Sequence, residues 1–281
     1  MSKVDLHIHT SASDGKYSAA EIVRKAWEAG LTHIAICDHD SIDGIMPALE
    51  AAKEFPGLTV IPGVEINTDI PAGEMHVLGY LFEYQNQELH DHLIRLRNSR
   101  VERARKMIGK LRGLGVKIDY ERVEELAAGG SLGRPHIAQA LLERGYVNNF
   151  REAFIKYIGR GSPAYIERDK ITPVEAVKLI VRAGGTPVLA HPFTSENYEQ
   201  LITKLIPAGL LGLEAYYNNY TPEQVQDILR VATGHNLIVT GGSDYHGLEG
   251  LNEPPLGSVE VPLETVNGLL SLAQQLNKSR L

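Results

Sequence analysis

Several things are scarce in this chain. One cysteine, Cys37, stands among 281 residues, which excludes an internal disulfide framework and any zinc cluster built on thiolates. No run approaches the roughly 18 apolar residues of a membrane helix, so no membrane association is expected. The start, MSKVDLHIHT, has no basic segment followed by an apolar stretch, so no secretory signal is expected and the cytoplasm is the expected location. Low-complexity tracts and internal repeats are lacking as well. Net charge is −7, which argues against a general nucleic-acid coat protein.

What is present fits one large α/β domain or two smaller ones. Short apolar, β-branched runs alternate with amphipathic stretches, which predicts a largely parallel sheet. Seven strands are expected: VDLHIH (4–9), HIAICD (33–38), LTVIPGVEI (58–66), EMHVLGYL (74–81), TPVLAH (186–191), LLGLEAYY (210–217) and LIVTGGSD (237–244). The helical pattern SAAEIVRKAWEAG has Ser18 as N-cap, Glu21 three residues on, and Gly30 as its stop. Its expected apolar stripe is Ile22, Val23, Ala26 and Trp27. The same design recurs from Thr172 to Gly184, with Pro173 at the first helical position, and from Thr221 to Gly234. Between about residues 85 and 168 the rhythm breaks. That stretch shows helices and glycine-rich joints such as AAGGSLGRP (127–135), and reads as a helical insertion after the fourth strand.

Histidines and carboxylates fall where the strands end. His7 and His9 close the first strand, His39 follows the second, Glu65 lies late in the third and His76 in the fourth. His191 closes the fifth, and Asp244 and His246 the seventh. In barrels of parallel strands the carboxyl ends converge on one mouth, so these distant residues would meet. Alternate residues on a strand face the same way, which lets His7 and His9 reach one ion. With Asp14 the set has nine members: His7, His9, Asp14, His39, Glu65, His76, His191, Asp244 and His246. Imidazoles and carboxylates converging without thiolates make a metal site, and nine ligands exceed one ion's needs. Two or three ions with a bridging carboxylate are expected. His33, His90, His92 and His235 read as ordinary strand, helix and turn residues. Asp38 and Asp40 either fix the ring of His39 or are simple turn residues.

Charge is uneven along the chain. Residues 95–117 hold nine Lys and Arg against the single Glu102. On a helix, Val101, Ala104, Ile108 and Leu111 would form a docking stripe, with Arg103, Lys106 and Lys110 on a neighbouring line.

The segments DLHIHTSASDG, AICDHDSIDG, PGVEI, MHVLGY, LAHP and GSDYHG, in this order from Val4 to His246, resemble the polymerase and histidinol phosphatase (PHP) family. The resemblance implies an α/β fold, a distorted seven-stranded (β/α)7 PHP barrel with a helical insertion after strand 4. Residues 1–84 and 169–281 would form the barrel, and 85–168 an insertion covering the active-site mouth. It implies a trinuclear centre: one ion on His7, His9, Glu65 and Asp244, a second on Glu65, His76 and His191, a third on Asp14, His39 and His246. Manganese is the first candidate, with iron or zinc also fitting.

Within the family, RVERARKM (100–107) and LGRPHIA (132–138) are similar to the branch of nucleotide phosphoesterases with a helical insertion. That implies a metal-dependent phosphoesterase, acting on the 3′-phosphate of 3′,5′-bisphosphonucleotides such as pAp or trimming short RNA from its 5′ end. Arg103, Arg105, Lys106, Arg134 and His136 would contact the substrate. A hydroxide bridging the Glu65-linked ions is expected to attack phosphorus, with Glu65, Asp244 and His246 as the catalytic residues. Histidinol-phosphate phosphatase or another small phosphomonoesterase is an alternative; a non-catalytic metal-binding module is a second. A nucleotide bisphosphate or a short RNA 5′ end is the expected partner, with no membrane and no obligate protein partner.

Overall fold

The computed structural model describes residues 3–70, 73–127, 129–167, 171–195, 197–218, 220–248 and 253–278. Its elements in chain order are β1 (Val4–Ile8), α1 (Ala19–Glu28), β2 (His33–Ile36), α2 (Ile45–Ala52), β3 (Thr59–Ile70), β4 (Gly73–Tyr80), α3 (Gln87–Gly113), α4 (Tyr120–Leu126), α5 (Arg134–Glu143) and α6 (Phe150–Ala153). A π-helical turn, Phe154–Ile158, precedes α7 (Pro173–Arg182), β5 (Thr186–Leu189), α8 (Tyr198–Leu205), β6 (Gly212–Tyr217), α9 (Pro222–Gly234), β7 (Ile238–Gly242) and α10 (Leu263–Lys278). No helix among the described residues is long and apolar enough to cross a membrane.

The seven strands form one sheet in chain order, and the sheet curls until its ends meet. Asp244 N–H donates to the His7 carbonyl and His9 N–H to the Tyr245 carbonyl, each at 2.9 Å. The result is the expected nearly closed seven-stranded barrel. The pairs β1–β2, β2–β3, β5–β6 and β6–β7 are parallel. The expectation of a largely parallel sheet is corrected at β4, which runs antiparallel to both neighbours. Two residues separate β3 from β4, enough for a hairpin and far short of the dozen a parallel crossover needs. Because β4 is reversed, its beginning faces the end where the other strands finish. His76, near that beginning, therefore reaches the same mouth as residues at the far ends of β1, β2, β5 and β7.

Apolar side chains fix the rest. Leu6, Ala35, Ile61, Leu78, Tyr80 and Val188 pack together with Val266 and Leu269 of α10. Helix α1 starts at a capping box of Ser18 and Glu21 and buries Ile22, Val23 and Ala26. Its expected fourth apolar residue is a correction: Trp27 is 47% exposed and lies at the edge of the stripe, its ring 5.5 Å from that of Phe55. Thr172 and Thr221 cap α7 and α9 in the same box.

Between residues 104 and 164 the described residues build a second core from helices and turns, with no strand among them. Helix α3 belongs to both cores. Leu89, Leu93 and Leu96 pack with the barrel's core, while Ala104, Met107, Ile108 and Leu111 pack in the second. Where the helix passes from one to the other it buries two cations, Arg100 and Arg103. Val101, the expected start of the stripe, is only half-buried.

Candidate metal centre

Glu65 is fully buried midway along β3, and five imidazoles surround it. Its Oε1 lies 2.8 Å from His76 Nδ1 and 3.1 Å from His191 Nε2. Its Oε2 lies 3.3 Å from His7 Nε2, 3.3 Å from His9 Nε2 and 2.9 Å from His39 Nδ1. Asp244 Oδ1 approaches the same rings, 3.3 Å from His7 Nε2 and 2.9 Å from His9 Nε2. Asp14 completes the far side, with Oδ1 3.5 Å from His246 Nε2 and 3.9 Å from His9 Nδ1, and Oδ2 3.9 Å from His39 Nε2. All nine expected residues thus meet at one mouth. Three groups offer ligand atoms to a common point: His7, His9, Glu65 and Asp244; His9, Asp14, His39 and His246; and His39, Glu65 and His76. The expected partition is changed in two ways: His9 also faces the Asp14 group, and His39 takes the expected place of His191 beside Glu65 and His76, while His191 reaches Glu65 Oε1 and joins none of the three groups.

Local structure aims these side chains. Asp38 accepts from Thr10 N and Thr10 Oγ1, both at 2.7 Å, and from Ser13 Oγ at 2.6 Å, which folds the loop after β1 so that Asp14 turns inward. That loop is tight enough that a Cβ on Gly15 would stand 2.6 Å from the His9 carbonyl oxygen. Asp40 accepts from Asn67 N at 3.0 Å and pairs with Arg100 at 2.8 Å. Neither aspartate holds the ring of His39; the amide of Asn67 does, 2.9 Å from Nδ1. Tyr217 Oη donates to Asp244 Oδ2 at 2.8 Å, leaving Oδ1 toward the imidazoles. His246 Nδ1 donates to the Asp244 carbonyl at 2.8 Å, so Nε2 keeps its lone pair for the Asp14 side.

Burial opposes charge on Glu65 and Asp14, yet the surrounding imidazoles outweigh it. His39, His76 and His7 hold the Glu65 carboxyl well below the usual range, and His39 and His246 do the same for Asp14. Burial pushes the His39 ring down to about 4, which keeps it neutral and able to donate a lone pair.

Metal ions fit this arrangement. His7 Nε2, His9 Nε2, Glu65 Oε2 and Asp244 Oδ1 are buried and make no hydrogen bond of acceptable geometry, although they approach to 2.9–3.3 Å. Orphaned buried polar atoms are costly. Lone pairs that crowd one another without bonding are aimed at a shared point. Donors about 2.1 Å from one ion stand about 3.0 to 3.4 Å apart in octahedral or tetrahedral geometry, close to the separations here.

The expected substrate contacts divide. Arg103 and Arg134 line a small cleft with Arg100, Leu132 and Gly133. A Cβ on Gly133 would stand 3.5 Å from Asp14 Oδ2 and 3.7 Å from an Arg100 terminal nitrogen, so the cleft adjoins the candidate metal ligands. His136 is buried close by, with Nδ1 accepting from Gly133 N–H at 2.9 Å. Arg105 and Lys106 are not brought there. Both are exposed on the other face of α3, and Arg105 lies over the Tyr120 ring at 4.7 Å. At about 100° per residue Arg105 stands about 200° from Arg103, and Lys106 falls about 60° from it on the side away from the buried Ala104, Met107 and Ile108. Lys110, also on the expected cationic line, donates to the Tyr165 carbonyl at 2.9 Å. Sequence reasoning missed Arg100, Asn67, Glu214 and Tyr217.

The PHP domain family matches residues 5–160. A 5′-3′ exoribonuclease of Haemophilus influenzae is 34% identical over 248 residues, covering 87% of this chain and 90% of that protein. A 3′,5′-nucleoside bisphosphate phosphatase of Chromobacterium violaceum is 30% identical, covering 88% of each. Among solved structures, a Bifidobacterium adolescentis protein described as a metal-dependent phosphoesterase superposes with a TM-score of 0.88 at 31% identity, covering 95% of both chains. The class is therefore that of the metal-dependent phosphoesterases, hydrolases of phosphate esters. The chain belongs to the PHP domain family.

Proposed function

We propose that the chain hydrolyses the 3′-phosphate of 3′,5′-bisphosphonucleotides and trims the 5′ end of short RNA by the same chemistry, in the cytoplasm. Two or three divalent ions would serve it, manganese first, with iron or zinc also suited to imidazole and carboxylate donors. His7, His9, Glu65 and Asp244 would hold one ion, Glu65, His76 and His191 a second, and Asp14, His39 and His246 a third. When bound, the ions lower the pKa of water from about 15.7 to about 7 and neutralise phosphoryl charge.

The observation that carries this reading is the cationic cleft beside the ligands. Arg100 is paired with Asp40 and Arg134 with Glu74. Among the described residues Arg103 donates a hydrogen bond to the Ile166 carbonyl at 2.8 Å and lies 5.1 Å from the Tyr165 ring centre, while its Nη2 is buried without a hydrogen bond. Burial, with Arg134 and Arg100 nearby, pushes the Arg103 guanidinium down to about 10. A buried cation so placed is expensive unless an anion meets it. A second phosphate does so, gripped by two prongs of the guanidinium while the first phosphate lies over the ligands. His136, whose Nδ1 accepts from the backbone, carries its proton on Nε2 and is a donor for a substrate oxygen. A cavity of about 320 Å³ shares Asp14 with the centre and is lined by Leu126, Pro135, His136, Gln139 and Phe150. Its apolar wall of Leu126, Pro135 and Phe150, faced by Ser11, Ser13, Lys16 and the Gln139 amide, suits a nucleoside with both a flat base and polar edges.

Glu65, Asp244 and His246 act as catalytic residues in this reading, and the helical insertion 85–168 covers the mouth of the barrel formed by 1–84 and 169–281. The test compares pAp, 5′-phosphorylated oligoribonucleotides and histidinol phosphate with manganese-loaded protein. Arg103→Ala should raise KM for pAp about 10- to 100-fold, the worth of a hydrogen bond to a charged group, and leave a simple monophosphate ester nearly unchanged. Arg105→Ala and Lys106→Ala should alter neither by more than about twofold, as befits exposed charges. Faster turnover of histidinol phosphate than of pAp or RNA ends would overturn the substrate assignment.

A further inference from the structure

The strand β6 carries a carboxylate that touches two of the metal-ligand residues without being a ligand itself. Glu214 is fully buried. Its Oε1 lies 2.8 Å from His7 Nδ1, and its Oε2 accepts from the His191 backbone N–H at 2.7 Å. His191 sits at φ 29°, ψ 61°, a left-handed conformation that a residue with a Cβ adopts only when held there. A buried carboxylate only accepts, so His7 carries its proton on Nδ1 and presents the Nε2 lone pair to Glu65 and Asp244. The other oxygen holds the peptide of His191 so that its ring reaches Glu65 Oε1.

We propose that Glu214 is a positioning residue that fixes the tautomer of His7 and the left-handed backbone of His191, and so sets metal occupancy at both positions sharing Glu65. The proposal rests on the reading of His7 and His191 as metal ligands. Both of Glu214's partners are donors, and that makes its chemistry hard to imitate. Glutamine has the same shape and only one accepting oxygen. Its NH2 would either face the His191 N–H, donor against donor, or donate to His7 Nδ1 and move the ring proton to Nε2, where the metal must bind.

Wild-type protein and Glu214→Gln are titrated with Zn²⁺ and Mn²⁺ and analysed for metal content. The variant should bind at least one ion per chain about 10- to 100-fold more weakly, as is typical when a metal ligand loses its orienting partner. Its metal-free form should itself melt lower than the wild type, since the amide leaves a buried donor unmatched; melting alone therefore does not separate a positioning from a packing role, and metal content and the His7 tautomer do. In zinc-loaded wild type, ¹⁵N NMR should report His7 as metal-bound at Nε2 with a hydrogen-bonded Nδ1–H, a measurement that needs no variant to fold. Equal metal affinity in the two proteins, or a His7 protonated at Nε2, overturns the role of Glu214. Failure of the wild type to bind either metal instead overturns the metal centre itself.

Discussion

At the scale of single residues the centre turns on Glu65, whose two oxygens are divided between His76 and His191 on one side and His7, His9 and His39 on the other. An amide in its place puts two protons where a lone pair is needed. Glu65→Gln is therefore expected to release at least one ion per chain by elemental analysis and to lower kcat by about 10³-fold, roughly 4 kcal/mol. The nine imidazole and carboxylate residues were legible in the sequence because the direct metal bonding proposed for them demands those side chains at strand tips with an alternating spacing. Their supports were not, because an orienting group can be almost any polar residue. Asn67, and not Asp38 or Asp40, holds His39. Glu214 did leave a trace: it is the lone acid in the apolar run LLGLEAYY, and a charge on a buried strand is paired or functional. Arg100 also had a signal in RVERARKM: it stands four, seven, eight and eleven residues before Ala104, Met107, Ile108 and Leu111, on the apolar face that Arg105 does not share.

At the scale of elements, the helices follow their caps closely. Thr221 accepts from Gln224 N–H and Gln224 returns a bond to Thr221 N–H. Thr221→Ala should cost about 1 kcal/mol and lower Tm by about 2–4 °C, with activity unchanged because α9 lies outside the centre. A scanning calorimetry trace and a rate assay together check this. The strands were found with their ends misjudged by a few residues, and one direction was missed. The expected third and fourth strands stood seven residues apart, already too close for a parallel crossover, so the reversal of β4 had a signal in the sequence. Trp27 could not be placed from periodicity, since a stripe's edge is half core and half solvent.

At the scale of the whole molecule, proton and metal compete for one set of groups. In the metal-free protein Asp14, Glu65 and Asp244 titrate below their ordinary range. The stability they bring is present above about pH 4 and lost as pH falls through their folded values. His7 and His246 titrate above theirs, so their share is present below about pH 6.5 and lost as pH rises through the folded values. The metal-free protein should be most stable between those limits. Manganese needs neutral rings, so loading should move the maximum of Tm to higher pH and add about 2.7 kcal/mol at a hundredfold excess over Kd. Melting curves across pH, with and without chelator, decide it; coincident curves would count against a metal centre.

One helix, α3, is shared by two cores and buries Arg100 and Arg103 at the crossing. The grip proposed for a substrate's second phosphate would thereby depend on the cohesion of a neighbouring bundle. Loosening that bundle, as Leu111→Ala would at about 2–5 kcal/mol, should blunt discrimination between doubly and singly phosphorylated esters while the cage of imidazoles stays intact.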